Sequence, residues 1–188
     1  MIDFLEGEFF KRTEKTQSLM YEKGLDAILL CTEAEIRYYT GFRSLFWQSP
    51  TRPWYVIIPK NGKPIAIIPE IGRELMERTW LDEVITWPSP RREDDGISLL
   101  VEALKKSKTI GLLMGEEATL RMPLGDFYIL ESRITGSFVD CSQLVKEVRL
   151  VKSEAEIEVI KQICNVADGA FDRADKLFHV GQPLNEAF

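Results

Sequence analysis

Residues 54–69 read WYVIIPKNGKPIAIIP. Two short runs rich in β-branched and aromatic residues, 54–59 and 64–69, flank KNGK. Asn61-Gly62 at its centre supplies residues that accept positive φ, a strong short-range hairpin signal. Pro59 and Pro64 fall at the strand ends, where a missing N–H does little harm. Outward from this hairpin, LDAILLC (25–31) and TIGLLMG (109–115) are short, mostly apolar runs, the pattern of buried strands. VITW (84–87) and SFVD (137–140) are further strands. Helices fall between them. Residues 3–23 form an amphipathic helix stopped by Gly24. Thr32 caps EAEIRYYT, which ends at Gly41. A helix covers 71–79, and Asp95 caps GISLLVEALKK. A helical stretch over 116–132 is broken by Pro123, and SQLVKEV closes the series. Strands alternating with helices around one hairpin predict an α/β domain with a mixed β-sheet flanked by helices.

The pattern changes after residue 147. Following RLVK, Ser153 and Glu156 have the spacing of a capping box. Ile157, Ile160, Ile163 (or Cys164), Ala167 and Phe171 then recur at helical spacing. This helix is expected to reach about His179, with Gly181 as its stop. Within this sequence no later element covers its apolar stripe, so it packs on the domain or belongs to what comes after.

Composition excludes several classes. Hydrophobic residues make up 45% and charged residues 29%, so a packed core is affordable. No apolar run approaches the ~20 residues of a membrane span, and MIDFLEGEFFKR is acidic where a signal peptide needs basic then apolar residues. The net charge is −6 and the basic residues lie among acidic ones, as in Arg91-Arg92-Glu93-Asp94-Asp95, so nucleic acid and anionic membrane are set aside as partners. Cys31, Cys141 and Cys164 are odd in number and without CxxC spacing. They read as small hydrophobes in or near a core and fit a reducing, cytoplasmic setting.

Catalytic signatures are missing. The single histidine, His179, reads as a surface residue near a helix C-terminus rather than a ligand. There is no GxSxG, GxGxxG or Walker loop. The acidic groups Asp94-Asp95, Glu116-Glu117 and Glu154, Glu156, Glu158 read as caps or as charge at helix N-termini. One segment stands out. Phe42, Arg43, Phe46, Trp47, Arg52 and Trp54 crowd the loop FRSLFWQSPTRP (42–53) and the strand start beyond it. Aromatics with arginine are favoured at interfaces and ligand pockets. The competing reading folds two or three of these aromatics under the loop and leaves the arginines in solvent.

The order of LDAILLC, RYYTGF, the strand–NG–strand hairpin and finally LVKEVRLVKSEAEIEVIKQICNVAD resembles the creatinase/prolidase/aminopeptidase P family, whose catalytic domain has the pita-bread fold. RYYTGF is similar to the family's aromatic-Thr/Ser-Gly segment. VRLVKSEAEIEVIKQ is similar to the junction where the catalytic domain starts, and GQPLNEAF to the turn after its first helix. The resemblance implies a creatinase/prolidase-like N-terminal domain over 1–147 and a truncated start of the catalytic domain over 148–188. It implies no catalytic residue and no metal ligand in this chain. Two divalent metal ions (manganese, cobalt or zinc) would be bound beyond residue 188. It also implies a homodimer in which Phe42, Arg43, Phe46, Trp47, Arg52 and Trp54 line the substrate pocket or the subunit interface. The expected substrate is a peptide or a small amide. The expected function is an accessory and dimerisation domain of an Xaa-Pro peptidase-like metal-dependent hydrolase. A creatinase-like hydrolase of a non-peptide C–N bond and a free-standing, non-catalytic binding module are the alternatives. Trp47→Ala and Arg52→Ala are expected to alter substrate affinity or dimerisation more than stability.

Overall fold

The hairpin forms at the middle of a six-stranded sheet. The structure, a computed structural model, describes residues 4–49 and 52–187; residues 1–3, Pro50, Thr51 and Phe188, each part of a segment read above, lie outside them. Chain order is α1 (Glu6–Lys23), β1 (Ala27–Leu30), α2 (Glu33–Thr40), a 3-10 turn (Leu45–Gln48), β2 (Tyr55–Pro59), β3 (Ile65–Pro69), a second 3-10 turn (Glu70–Gly72), α3 (Arg73–Met76) and β4 (Glu83–Trp87). There follow α4 (Ile97–Leu104), β5 (Thr109–Leu112), α5 (Leu124–Arg133), β6 (Ser137–Asp140), α6 (Ser142–Leu150), α7 (Glu154–Phe171), α8 (Ala174–Leu177) and α9 (Leu184–Ala187). Residues 4–150 form one compact unit, and residues 151–187 form another.

The strand order is β4-β3-β2-β1-β5-β6. β2 runs antiparallel to both its neighbours, while β3–β4, β1–β5 and β5–β6 are parallel pairs. The sheet is therefore mixed because of the hairpin alone. Successive strand residues point to opposite faces. Ile28, Leu30, Val56, Ile58, Ala66 and Ile68 pack with Phe9, Met20, Ile36, Tyr39, Leu144, Val145 and Val148 of α1, α2 and α6. Ala27, Leu29, Tyr55, Ile57, Ile67, Ile110 and Leu112 pack with Ile97, Leu100, Leu104 and Leu130 of α4 and α5. Both faces are covered, which is why these strands read as continuous apolar runs.

Local signals explain most boundaries. Gly24 ends α1 in the left-handed region at φ 67°, and its N–H returns to Met20 and Tyr21 carbonyls. Gly62 takes φ 89° in the hairpin connection, and Gln17 Nε2 of α1 donates to the carbonyls of Pro59 and Gly62, each at 2.8 Å. At the base of the sheet Asp26 accepts from Lys60 Nζ at 2.9 Å and from the Lys108 N–H at 2.8 Å, tying β1, β2 and β5 together. These bonds hold its carboxyl down at about 2.

Several expectations require correction. The helix expected over 71–79 is a 3-10 turn and the single turn of α3. Trp80 ends it, because its ring is buried and its Nε1 donates to the Tyr39 carbonyl at 2.8 Å. Thr32 holds the N-cap position of α2 without a side-chain bond. Asp95 does not cap α4. It accepts from Trp87 Nε1 at 2.7 Å and from the Arg91 N–H at 3.1 Å, while Asp94 accepts from the Ser98 N–H at 3.0 Å. A buried indole N–H needs an acceptor, and Asp95 supplies it. Of the stretch 116–132 only 124–132 is helical, as part of α5, with Pro123 at the N-cap position. Cys164 is exposed, while Cys31 and Cys141 are buried.

In the second unit the capping box forms as read: Ser153 Oγ accepts from the Glu156 N–H, and Glu156 reaches back to the Ser153 N–H. The helix stops at Phe171, short of His179. Arg173 Nε takes the Gly169 carbonyl at 2.8 Å, and the Arg173 N–H turns to the Ala170 carbonyl, which tightens and closes the last turn. None of the residues of α7 is buried.

Candidate functional site: the aromatic–arginine loop

The loop leaves α2 through Gly41, at φ 77°. A Cβ there would meet the Phe9 ring at 2.8 Å, so glycine is required both by conformation and by space. Thr40 Oγ1 accepts from the Phe42 N–H at 3.0 Å and turns the chain inward. Phe42 then packs against Trp54 with ring centroids 5.4 Å apart, and Trp47 lies 5.6 Å from Trp54. Phe46 stacks on the same indole at 6.4 Å. Ser44 Oγ accepts from the Phe46 N–H at 3.1 Å and starts the 3-10 turn. Trp54 is the hub of these rings, and its far edge presses on Gly72.

The six residues singled out from sequence divide by depth. Phe42 and Trp54 are fully buried, and Trp47 retains 8% exposure. These three belong to the core on the α1, α2 and α6 face. Phe46, at 39%, is exposed, and Leu45, which the sequence did not single out, is 83% exposed. Arg43 and Arg52 are half-buried rather than in solvent. Three of the four aromatics thus fold under the loop while Phe46 stays outside, and neither arginine is fully exposed.

Sequence reading missed Arg121. Its Nη2 donates to the Trp47 carbonyl at 3.1 Å and also to the Ser49 carbonyl. Its guanidinium lies 4.9 Å from the centroid of the Trp47 ring, a cation–π contact. The partners are 72 and 74 residues away in sequence, and no periodicity links them. A second missed pair is Glu35–Arg149 at 2.9 Å, which ties α2 to the end of α6.

Around the loop, polar groups are unevenly matched. Trp47 Nε1, Trp54 Nε1 and Arg121 Nη1 are buried donors without an acceptor among the described residues. The Tyr55 hydroxyl is likewise unpaired, and burial pushes its pKa up. Each such group costs about 1–3 kcal/mol. Burial pushes the Cys31 thiol up and the Cys141 thiol up to about 12, so neither is an activated nucleophile at neutral pH. The Asp126 carboxyl is raised by burial and by Asp95 and Asp94. Among the described residues no three His, Cys, Asp or Glu side chains gather in a way that could hold a metal ion. None of the described helices is long and apolar enough to cross a membrane.

The family model of the Creatinase/Prolidase N-terminal domain matches residues 12–151. The chain belongs to this family. Among curated relatives, the Xaa-Pro dipeptidase of Pyrococcus furiosus is 24% identical over 160 residues, covering 85% of this chain and 40% of the relative. The creatinase of Bacillus sp. is 24% identical over 165 residues, covering 88% of this chain and 39% of the relative. The chain therefore spans less than half the length of these relatives. Among solved structures, the prolidase of Pyrococcus horikoshii matches with a TM-score of 0.69 at 22% identity, over 94% of this chain and 46% of that one. The Creatinase/Prolidase N-terminal domain of an X-Pro dipeptidase from Streptococcus pyogenes matches with a TM-score of 0.59 at 15% identity, over 73% of this chain and 98% of that one. At these identities the solved structures establish the family's fold for this chain.

Proposed function

We propose that this chain is the N-terminal accessory domain, residues 1–147, with the start of a catalytic domain, 148–188, of an Xaa-Pro peptidase-like metal-dependent hydrolase. Family membership together with the match to an Xaa-Pro dipeptidase, of which the aligned region covers 40%, carries this reading. The loop 42–54 shapes substrate access and homodimer formation. Its contribution is local: Leu45 and Phe46 present apolar surface, and the half-buried Arg52 carries a guanidinium group suited to a carboxylate of a peptide or small amide. The two divalent metal ions, manganese, cobalt or zinc, belong to the catalytic domain in this reading. Three unbridged thiols support a reducing, cytoplasmic setting.

The test is cleavage of Xaa-Pro dipeptides by the whole protein, with and without added Mn²⁺, Co²⁺ or Zn²⁺, beside its mass by sedimentation. Metal-stimulated cleavage by a dimer is expected. Absence of any such cleavage overturns the peptidase assignment. One observation keeps a second reading in view. The Bacillus creatinase matches at the same identity as the P. furiosus dipeptidase. Hydrolysis of a non-peptide C–N bond without added metal would favour it, and fold alone does not separate the two.

A further inference from the structure

We propose that Arg121 is the positioning residue of the loop 42–54. The inference rests on the reading that this loop shapes substrate access. A single 3-10 turn does not hold itself. Within Leu45–Gln48 the Trp47 N–H reaches the Ser44 carbonyl only at 3.5 Å, and the Ser49 N–H reaches the Phe46 carbonyl at 3.1 Å. Arg121 supplies the missing hold from another part of the chain. One nitrogen, Nη2, bridges the carbonyls of Trp47 and Ser49, and the guanidinium carbon lies 4.9 Å from the centroid of the Trp47 ring. Arg121 has no ion-pair partner among the described residues, so its charge is directed at the loop's backbone and indole face. Its segment, after β5 and before α5, has no regular structure. Arg121 carries it to the loop through bonds to the Trp47 and Ser49 carbonyls. The outward display of Leu45 and Phe46 follows from a turn clamped at its inner carbonyls. Arg121 touches no reacting atom in this scheme; it acts through the loop.

The test uses the whole protein and the variants R121Q and R121K. Amide exchange at Phe46, Trp47 and Ser49 is expected to rise about tenfold or more in R121Q, because bonds from a charged donor are lost. Exchange at Ile28–Leu30 of β1 should keep its wild-type rate, which separates loop release from global unfolding. R121K should recover little, since an ammonium cannot reproduce the planar contact with both carbonyls and the ring. For an Xaa-Pro dipeptide, KM should rise several-fold with kcat within about twofold, a split that general destabilisation does not produce. Unchanged exchange at Phe46–Ser49 in both variants overturns the proposal and leaves the loop's role standing. Faster exchange with unchanged KM and unchanged dimerisation supports the hold by Arg121 and overturns the role given to the loop.

Discussion

Alanine at Gly72 drives a methyl group into Trp54. An ideal Cβ at this position lies 2.2 Å from Trp54 Cζ3 and 2.7 Å from Cη2, with Ile68 Cδ1 at 3.2 Å. The backbone, at φ −97° and ψ −6°, would accept alanine, so only space opposes it. Carbon pairs settle at about 3.5–4.0 Å, so the indole must retreat by roughly 1 Å or more. It has nowhere to go: Trp54 is fully buried and its other neighbours are the rings of Phe42, Phe46 and Trp47. Overpacking costs about 1–3 kcal/mol, and a rigid bicyclic ring in a closed cluster puts this case near the upper end. At about 2–4 °C per kcal/mol for a chain of this size, a loss of about 3 kcal/mol lowers Tm by about 6–12 °C. Gly125→Ala is the matched control. It lies inside α5 with nothing within 4 Å of its added Cβ, and should stabilise by about 0.5–1 kcal/mol. Thermal and urea denaturation followed by circular dichroism measure both. Adding Trp54→Leu to Gly72→Ala should recover part of the loss. If both glycine variants shift Tm alike, the contact between Gly72 and Trp54 does not govern this site.

Burial reverses the order expected from sequence for Trp47: Trp47→Ala should cost about 3–5 kcal/mol in urea denaturation, and Arg52→Ala under about 1 kcal/mol. A Trp47→Ala protein as stable as the wild type would contradict its place in the core. Asp26 has a folded pKa of about 2, below its ordinary 3.8, so its stabilisation is present above about pH 4 and is lost as pH falls through 2. Asp26→Asn should therefore lie about 1–2 kcal/mol below wild type at pH 7, after allowance for solvent screening. The urea midpoints should converge between pH 4 and 2, and a constant gap would show that Asp26 is not the titrating group. Ser153→Ala removes the capping box of α7 and should cost about 1 kcal/mol of local stability, read as faster amide exchange in its first turn.

What was legible in the sequence followed from short-range chemistry. Asn61-Gly62 announced the hairpin, and Gly24 and Gly41 ended helices at left-handed positions. Ser153 and Glu156, three residues apart, built their own cap. Each of these signals lies within a few residues of its effect. The misread boundaries share the opposite property. α3 stops early because Trp80 reaches Tyr39, 41 residues away, and α4 lost its expected cap because Trp87 claims Asp95. Leaving the buried Trp87 N–H unpaired would cost about 1–3 kcal/mol, and Asp94, one residue earlier, takes the Ser98 N–H of α4 instead.

The same distinction divides the candidate site. Composition alone marked 42–54, because aromatics and arginines rarely crowd a loop without a packing or binding reason. It could not say which ring faces inward, since the alternation is set by Trp54 entering β2 and by the turn at Gly41. Phe42, Trp47 and Trp54 sink because the hairpin and α2 leave a space between them that large rings fill. Leu45 and Phe46 are then left outside by the geometry of a four-residue 3-10 turn. Arg121 was invisible for the reason that it is informative. Its partners are backbone carbonyls, which carry no sequence signature, and they lie more than 70 residues away. A loop whose inner rings are core and whose carbonyls are held from a distant segment is set by the whole fold. Substitutions at Gly72 or Arg121, outside 42–54, should therefore alter what the loop presents as surely as substitutions within it.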